Sequence, residues 1–299
     1  MEFLNTFING LSVGGVYAMI ALGYTMVYGI AKMLNFAHGD IIMVGAYLIV
    51  LFLPINPIVA IIAAIILCAI LGIFIEKIAY KPLRGASPLA VLITAIGVSY
   101  LLQSLAQIIA GPNTYYPDPL SKLFPEFMGE PTYGIITIGS FSIKLSTLIT
   151  LICVAIVMTA LTLFVKYTRT GRAMVAVSED KGAAQLMGIN VNHIIMITFA
   201  IGSALAALAS ILTTFDASKV STTMGSLPGI KAFAAAVIGG IGSIPGAMLG
   251  GIILGLVECF AQAVPAIAPY TVTIEFSLLI IMLLVKPTGI LGKKRREKV

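Results

Sequence analysis

The chain has 299 residues, of which 59% are hydrophobic and only 10% are charged, against roughly 25% charged residues in an ordinary soluble domain. Segments such as 58–75 are apolar on every face, which excludes a soluble helical bundle and predicts an all-α polytopic membrane protein. The net charge of +6 does not indicate a nucleic-acid partner, because the basic residues lie at the ends of apolar runs, as topology signals do.

The apolar runs predict the membrane-spanning helices in chain order, at about 7–31, 41–53, 58–75, 89–110, 145–165, 194–215, 231–241, 246–264 and 270–285. The first run is too long for a signal peptide, so we interpret it as the first span. The second and seventh runs are too short to cross a bilayer core, which takes about 20 helical residues. We expect them to be broken or re-entrant elements. The whole chain, 1–299, is then a single transmembrane domain with eight or nine crossings.

Basic residues predict the orientation of these helices. All but four of the 18 lysines and arginines fall on one alternating set of connections: the first loop, the third loop, the loop 166–193 and the tail. The exceptions are Lys122, Lys144, Lys219 and Lys231. The positive-inside rule places the first set in the cytoplasm, so we expect the N-terminus outside and the C-terminus inside. Nine crossings are then favoured over eight, and the proline-rich loop 111–144 is expected outside as a compact, turn-rich cap.

A polar segment, 168–190, interrupts the apolar runs with the sequence TRTGRAMVAVSEDKGAAQLMGIN. Thr170 or Ser178 can cap a helix start there. Glu179 and Asp180 would lie in its first turn, and Gly188 would end it. A helix over about 179–187 would place three apolar residues on one face: Ala183, Leu186 and Met187. We interpret it as a docking helix for a soluble partner; the alternative is an amphipathic helix that lies on the membrane.

A second polar segment, Asn35-Phe36-Ala37-His38-Gly39-Asp40, separates the first run from the short second run. Asn35, His38 and Asp40 are costly at membrane depth unless they face the bundle interior or a water-filled path. Gly39 would let an interrupted helix bend, and exposed backbone groups there could meet a zwitterionic ligand. The segment is therefore a candidate pathway element. The plainer interpretation is a polar turn with Asp40 as the N-cap of the next helix.

Glycines are concentrated between 239 and 255. Gly242, Gly246 and Gly250 recur every four residues, a spacing that removes side chains from one helix stripe and permits close packing. Pro245 favours a break in the same run. We predict a helix-packing role, with a flexible gate as the alternative, for Gly239, Gly240, Gly242, Pro245, Gly246 and Gly250. A weak echo between 43–53 and 248–258 is too short to establish a duplication.

The chain carries no motif for nucleotide hydrolysis or a catalytic metal. No G-x-x-x-x-G-K-[ST] and no H-E-x-x-H pattern occurs, and the three cysteines lie inside apolar runs with no metal-ligand spacing. We therefore predict no enzymatic activity and no cofactor. Transport would need energy from a partner or from an ion gradient. Glu258 and Glu275, inside late apolar runs, are expected to be paired or near an interface, with a proton relay as the alternative.

Several segments together resemble the LivH family of high-affinity branched-chain amino acid permeases. They are NFAHGD at 35–40, the polar segment 168–190, GIKAFAAAVIGGIGSIPGAMLGGIILGLVE at 229–258 and KPTGILG at 286–292. Ala183-Ala184, with Gly188 after three further residues, is similar to the EAA loop by which permeases of ABC importers dock on their ATPases. Gly182 stands where the general EAA pattern carries glutamate.

The resemblance implies a type II ABC-importer permease in a bacterial or archaeal cytoplasmic membrane. Its partners would be a second homologous permease, two cytoplasmic ATPases that bind the ATP, and an extracytoplasmic amino-acid-binding protein. The substrate would be leucine, isoleucine or valine, with amides or urea as alternatives. The coupling residues would be Arg172, Glu179, Asp180, Ala183, Ala184 and Gly188. Rival interpretations are a stand-alone ion-coupled secondary transporter and a non-transporting membrane scaffold.

Overall fold

The computed structural model describes residues 2–124, 135–138, 141–217 and 219–292. Within these ranges, seven helices are long and apolar enough to cross a membrane, and two shorter apolar helices accompany them. The helices are α1 (Glu2–Ala31), α2 (His38–Phe52), α3 (Pro57–Ile75), α4 (Pro88–Ala110), α5 (Pro119–Leu123), α6 (Leu145–Tyr167), α7 (Arg169–Glu179), α8 (Lys181–Leu186), α9 (Val191–Ala217), α10 (Ser226–Gly239), α11 (Ile244–Ala263) and α12 (Thr271–Val285). The predicted all-α polytopic architecture is confirmed.

Side-chain caps fix where several of these helices begin. The Asn56 side chain accepts a hydrogen bond from the N–H of Ile58 at 2.8 Å and starts α3. Ser87 starts α4 in the same way, through the N–H of Ala90 at 3.3 Å. In both helices a proline occupies the first turn, where its missing N–H leaves no bond unmade. Helix α3 continues through a π turn (Glu76–Tyr80) and a 3₁₀ turn (Lys81–Leu83).

The predicted cap at 111–144 contains one feature that the proline pattern did not indicate. Strands β1 (Ile135–Ile138) and β2 (Phe141–Lys144) form an antiparallel pair in which Ile135 lies opposite Lys144. Two prolines on which the prediction rested, Pro125 and Pro131, lie outside the described residues. The basic tail from Lys293 onward also lies outside them.

Helices α1–α4 and α9–α12 form two halves with the same arrangement. In the first half, α1 corresponds to α9, α2 to α10 and α3 to α11. The contact of α1 with α11 then matches that of α9 with α3, and the contact of α1 with α10 matches that of α9 with α2. The last helix of each half lies against the short helix of its own half, α4 on α2 and α12 on α10. The first helices of the two halves, α1 and α9, cross closely at Gly23 and Gly202: a Cβ atom built on Gly202 would lie 3.6 Å from the Cα of Gly23. The chain therefore contains an internal structural repeat, with α6–α8 between its halves.

The loops lie at two ends of the bundle. At one end, the Lys181 ammonium donates a hydrogen bond to the carbonyl of Ala31 at 2.9 Å, and the Arg84 guanidinium bonds Asn192. At the other end, Tyr115 pairs with Val220 in an isolated antiparallel bridge. We call the first the basic end and the second the opposite end. Helix α1 finishes at the basic end and α9 begins there, so the two halves are inverted relative to each other.

Each of the two short helices spans only part of the membrane. Helix α2 has 15 residues and α10 has 14, so each is about 22 Å long at 1.5 Å per residue, less than a hydrocarbon core of about 30 Å. They meet at their N-terminal ends, where Gly39 contacts Gly225 and Gly229. The predicted broken elements are therefore present: α2 reaches one end of the bundle and α10 the other, and non-helical segments complete each path.

Candidate functional site

The polar segment 168–190 folds into two helices at the basic end rather than one. Thr168 caps α7, its hydroxyl oxygen accepting from the N–H of Gly171 at 2.9 Å. Asp180 caps α8, accepting from the N–H groups of Gly182 at 2.9 Å and Ala183 at 3.0 Å. The predicted caps Thr170 and Ser178 are wrong, because Thr168 and Asp180 hold the extended backbone that an N-cap needs.

Glu179 and Gly188 mark the ends of these two helices. Glu179 is the last residue of α7, so its predicted place in a first helical turn is also wrong. Gly188 follows α8 with a φ of +79° and donates its N–H to the carbonyl of Gln185 at 2.9 Å. A residue with a side chain is strained at this φ, so the predicted role of Gly188 as the helix terminator is confirmed.

Helix α8 presents an apolar surface to solvent. Leu186 is 90% exposed and Met187 is 82% exposed, and Ala183 is exposed on the same helix. We call these three residues the α8 surface. Ala184 is only 3% exposed, so it packs inward and supports the surface from beneath. Large apolar side chains exposed together at a loop form a candidate interaction site.

The α8 surface is held on the bundle by its neighbours. Lys181, at the start of α8, bonds the last carbonyl of α1. Burial lowers the pKa of Lys181, and the charge of Arg84 lowers it further. Helix α7 buries Met174 and Val177, while Arg172 and Glu179 are exposed. Helix α8 is therefore joined to α1 directly by the Lys181 bond and to α6 through α7.

The polar motif at 35–40 lies inside the bundle. Asn35, His38 and Asp40 are 3%, 1% and 2% exposed. The Tyr80 hydroxyl donates to the side-chain oxygen of Asn35 at 2.9 Å, and the Gln103 amide donates to a carboxylate oxygen of Asp40 at 2.8 Å. Asp40 caps nothing: Ala37 holds the N-cap position of α2 without a side-chain bond. The interpretation of Asp40 as the N-cap in a polar turn is therefore wrong.

Sequence reasoning missed the residues that satisfy this motif. Gln103 on α4 also lies 3.4 Å from the hydroxyl of Ser99 and 3.5 Å from that of Ser226 on α10. The available signal was a glutamine near the middle of an otherwise apolar span, because an amide at membrane depth needs a partner; α4 carries Gln103 there and a second glutamine, Gln107, in its last turn. The elements α2, α4 and α10 thus converge on Asp40 where the two short helices meet.

Backbones touch at that meeting point. A Cβ on Gly225 would lie 1.9 Å from the carbonyl oxygen of Gly39, and a Cβ on Gly39 would lie 2.6 Å from the carbonyl oxygen of Gly225. Real Cβ atoms do not approach so closely, so both positions require glycine. Gly39 lies within α2 and permits this close helix contact, whereas the chain breaks before it, at 32–37; the predicted role of Gly39 in bending an interrupted helix is therefore wrong.

The glycine-rich run joins α10 to α11. Ser243 caps α11 and Pro245 lies in its first turn, so the break comes at 240–243 and not at Pro245. Gly242 lies in that connection with a φ of +96°, which corrects its predicted place on a helix stripe. The other members pack as predicted: ideal Cβ atoms on Gly239, Gly246 and Gly250 would lie 1.9–2.4 Å from carbonyl oxygens of the facing helix. Gly240 directly follows α10 with a φ of +109°, so it lies in the turn between the two helices.

Two glutamates and one lysine form an ionic cluster between α10, α11 and α12. The Lys231 ammonium lies 2.8 Å from Glu258 and 3.0 Å from Glu275, and the Tyr17 hydroxyl donates to Glu258 at 2.7 Å. The predicted pairing of both glutamates is confirmed. Lys231 is 4% exposed within α10, so its assignment to a loop in the orientation argument is wrong.

A cavity of about 550 Å³ adjoins this cluster. It lies between α1, α6, α9 and α11, and Lys144 and Asp216 line it near the opposite end. Its polar lining includes Asn9, Thr147, Thr150 and Glu258. The residues at 35–40 do not line it, so the cavity and the predicted pathway motif are separate features of the described structure.

A family model described as the permease component of branched-chain amino acid transport systems matches residues 6–284. The chain belongs to this family. The permease BraD of the high-affinity branched-chain amino acid transport system of Pseudomonas aeruginosa is 42% identical, over 100% of this chain and 98% of its own length. LivH of Escherichia coli K12 is 40% identical, also over 100% of this chain and 98% of its own length. A probable LivH permease of Methanocaldococcus jannaschii is 29% identical over 92% of this chain and 88% of its own.

The family assignment confirms the resemblance inferred from the motifs. The matched relatives are full-length permeases, so this permease is a multi-pass protein of the membrane. As one component of a transport system, it works with other components.

Proposed function

We propose that this permease is the transmembrane subunit of an ABC importer that moves leucine, isoleucine or valine into the cytoplasm. The printed names of relatives at 40–42% identity support the substrate class. The observation that carries the mechanism is the α8 surface, where Leu186 and Met187 are 90% and 82% exposed. In this proposal an ATPase covers that surface, and ATP is hydrolysed in trans while this chain binds none.

The proposed topology is that of a type II importer with nine membrane elements, α2 and α10 being half-spans. The basic end faces the cytoplasm and the opposite end faces outside, which puts the N-terminus outside and the C-terminus inside. Support comes from the clustering of Lys32, Arg84 and Lys181 at one end, as the positive-inside rule expects. The membrane is the cytoplasmic membrane of a bacterium or archaeon.

The proposed assembly holds a second homologous permease, two ATPases and an extracytoplasmic binding protein. The outer faces of α4 and α12 suit the second permease, because they expose large apolar side chains such as Ile93, Ile108, Ile281 and Leu284. The two helices flank the short helices α2 and α10. The substrate path would then pass beside α2, α4 and α10.

Asn35, His38, Gly39 and Asp40 are the proposed pathway element of this subunit, with Gln103 added from the structure. The N-terminal ends of α2 and α10 suit a substrate carboxylate, and Asp40 suits an ammonium group. Because Gln103 is only partly buried, a small movement of α4 would uncover Asp40 on the path.

The docking proposal is tested on the assembled complex with two matched changes on α8. Leu186→Glu places a charge on the α8 surface, whereas Gln185→Glu adds the same charge at an exposed polar position. We expect Leu186→Glu to weaken ATPase binding at least tenfold and to abolish leucine uptake, with normal membrane insertion, and Gln185→Glu to do neither. Equal ATPase binding and uptake in the two variants would contradict docking through this surface.

One observation favours the second candidate, an ion-coupled transporter that acts alone. Glu258 and Glu275 lie together on Lys231 inside the bundle, as facing acidic residues in such a transporter would. The purified chain in vesicles then has to transport without ATP. Stable co-purification of an ATPase, with uptake that requires ATP, decides for the importer.

A further inference from the structure

A crevice of about 440 Å³ lies between α6, α7 and the first turn of α11. Four apolar residues line it together with one threonine and two basic residues: Val165, Val175, Ile244, Pro245, Thr162, Lys166 and Arg172. The volume falls within the range of about 300–1,000 Å³ typical of ligand sites. The crevice is separate from the α8 surface, which contributes none of these residues.

The crevice lies at the membrane boundary of the basic end. Helix α6 has 23 residues, about 34 Å of helix, and Lys166 is in its last turn. The Lys166 ammonium is 5.4 Å from the ring centroid of Tyr167, an aromatic residue of the kind that sits at headgroup level. Leu163 and Leu249, on the two helices that flank the crevice, are 51% and 42% exposed, as expected of lipid-facing side chains.

Two positive charges, Lys166 and Arg172, lie together at the crevice. Over the residues that the structure describes, neither Lys166 nor Arg172 forms a salt bridge. Both side chains are exposed and border the apolar lining of the crevice. A ligand that fits this crevice has an anionic group for Lys166 and Arg172 and a hydrocarbon part for the apolar lining.

We propose that this crevice binds one anionic phospholipid, with its phosphate at Lys166 and Arg172 and an acyl chain against Val165, Val175 and Ile244. Basic pockets between membrane helices on the cytoplasmic side suit such headgroups. The bound lipid would fix α7 against α6 and α11, next to the connection at 240–243. In this proposal Arg172, which the family resemblance implies to be a coupling residue, holds the lipid phosphate instead.

The test uses the full chain with its co-expressed partners, delipidated and reconstituted with phosphatidylglycerol or phosphatidylcholine, with bound lipid counted by native mass spectrometry. We expect one phosphatidylglycerol per chain to be retained in preference to phosphatidylcholine. The double variant Lys166→Gln/Arg172→Gln should bind phosphatidylglycerol roughly 30-fold more weakly, at about fivefold per basic residue. Arg169→Gln, an exposed arginine outside the crevice lining, is the control and should bind as the parent does.

A second variant separates the acyl chain from the charge. Val175→Phe fills the crevice and keeps both basic residues, so retention of phosphatidylglycerol should fall although the charge is unchanged. The proposal is overturned if phosphatidylcholine is retained equally, if Arg169→Gln costs as much as the double variant, or if Val175→Phe has no effect. Displacement of the lipid by millimolar inorganic phosphate would show a simple anion site and would equally overturn it. None of these readouts requires transport, so failure of the proposed function is seen independently.

Discussion

Lys231→Met removes the ammonium that lies between the buried carboxylate of Glu275 and the partly buried carboxylate of Glu258. In the parent, Glu275 has a side chain only 1% exposed, and its Oε1 lies 3.0 Å from the Lys231 ammonium. Its other oxygen, Oε2, has no hydrogen-bond partner among the described residues. Removing one partner of a buried ion pair costs about 3–5 kcal/mol, because the remaining charge is uncompensated. We therefore expect Lys231→Met to lower the free energy of unfolding by about 3–5 kcal/mol.

The measurement is reversible unfolding of the purified protein in mixed micelles with increasing denaturing detergent. Lys219→Met removes an exposed lysine and should stay within about 0.5 kcal/mol of the parent. The triple variant Lys231→Met/Glu258→Gln/Glu275→Gln removes all three charges and should recover most of the loss, because neutral groups of similar volume replace ionic clusters at little cost. If Lys231→Met is as stable as Lys219→Met, or if the triple variant is less stable than Lys231→Met alone, the electrostatic reasoning fails.

Three further predictions concern packing, topology and the pathway. Gly225→Ala should lower the free energy of unfolding by about 1–3 kcal/mol through overpacking, because its Cβ would lie 1.9 Å from the Gly39 carbonyl oxygen. Gly97→Ala is the control and should leave the stability unchanged, because a Cβ there meets open space. Equal stability of the two variants would show that the backbones separate easily. In a background without the three native cysteines, an impermeant maleimide added from outside should label Ser121→Cys and not Ser178→Cys, and the reverse pattern would invert the topology. Asp40→Asn, which can still accept from Gln103, should reduce labelled leucine uptake while the ATPases remain bound, and normal uptake would leave Asp40 with a structural role only.

The sequence predicted the helices well because each is long or apolar enough to be recognised locally. It also indicated the two short elements, since 41–53 and 231–241 cannot cross a bilayer alone. The helix caps at 168–190 were predicted less well. Thr168, Thr170, Ser178 and Asp180 are all chemically able to cap, and the extended backbone that selects two of them depends on how α7 and α8 pack.

Contacts between helices that are distant in the sequence could not be predicted from local patterns. The bond from Gln103 to Asp40 joins α4 to α2, and Lys231 joins α10 to α11 and α12. The echo between 43–53 and 248–258 pairs α2 with α11, whereas the packing relates α2 to α10 and α3 to α11. An internal repeat is preserved in how helices pack, and side-chain identities need not repeat with it.

The short length of α2 and α10 accounts for the polar motif, the glycines and the position of the proposed pathway together. Two half-length helices leave free backbone groups where they end inside the membrane, and such groups need partners. Gly39 and Gly225 let the ends approach to backbone contact, while Tyr80 and Gln103 supply donors to Asn35 and Asp40. Because those donors belong to side chains on the π turn after α3 and on α4, rather than to the broken helices, movement of these elements can expose the polar groups without unfolding either half-span. In the proposed function, the two broken helices would therefore be stable while Gln103 covers Asp40 and would present a polar surface once α4 moves.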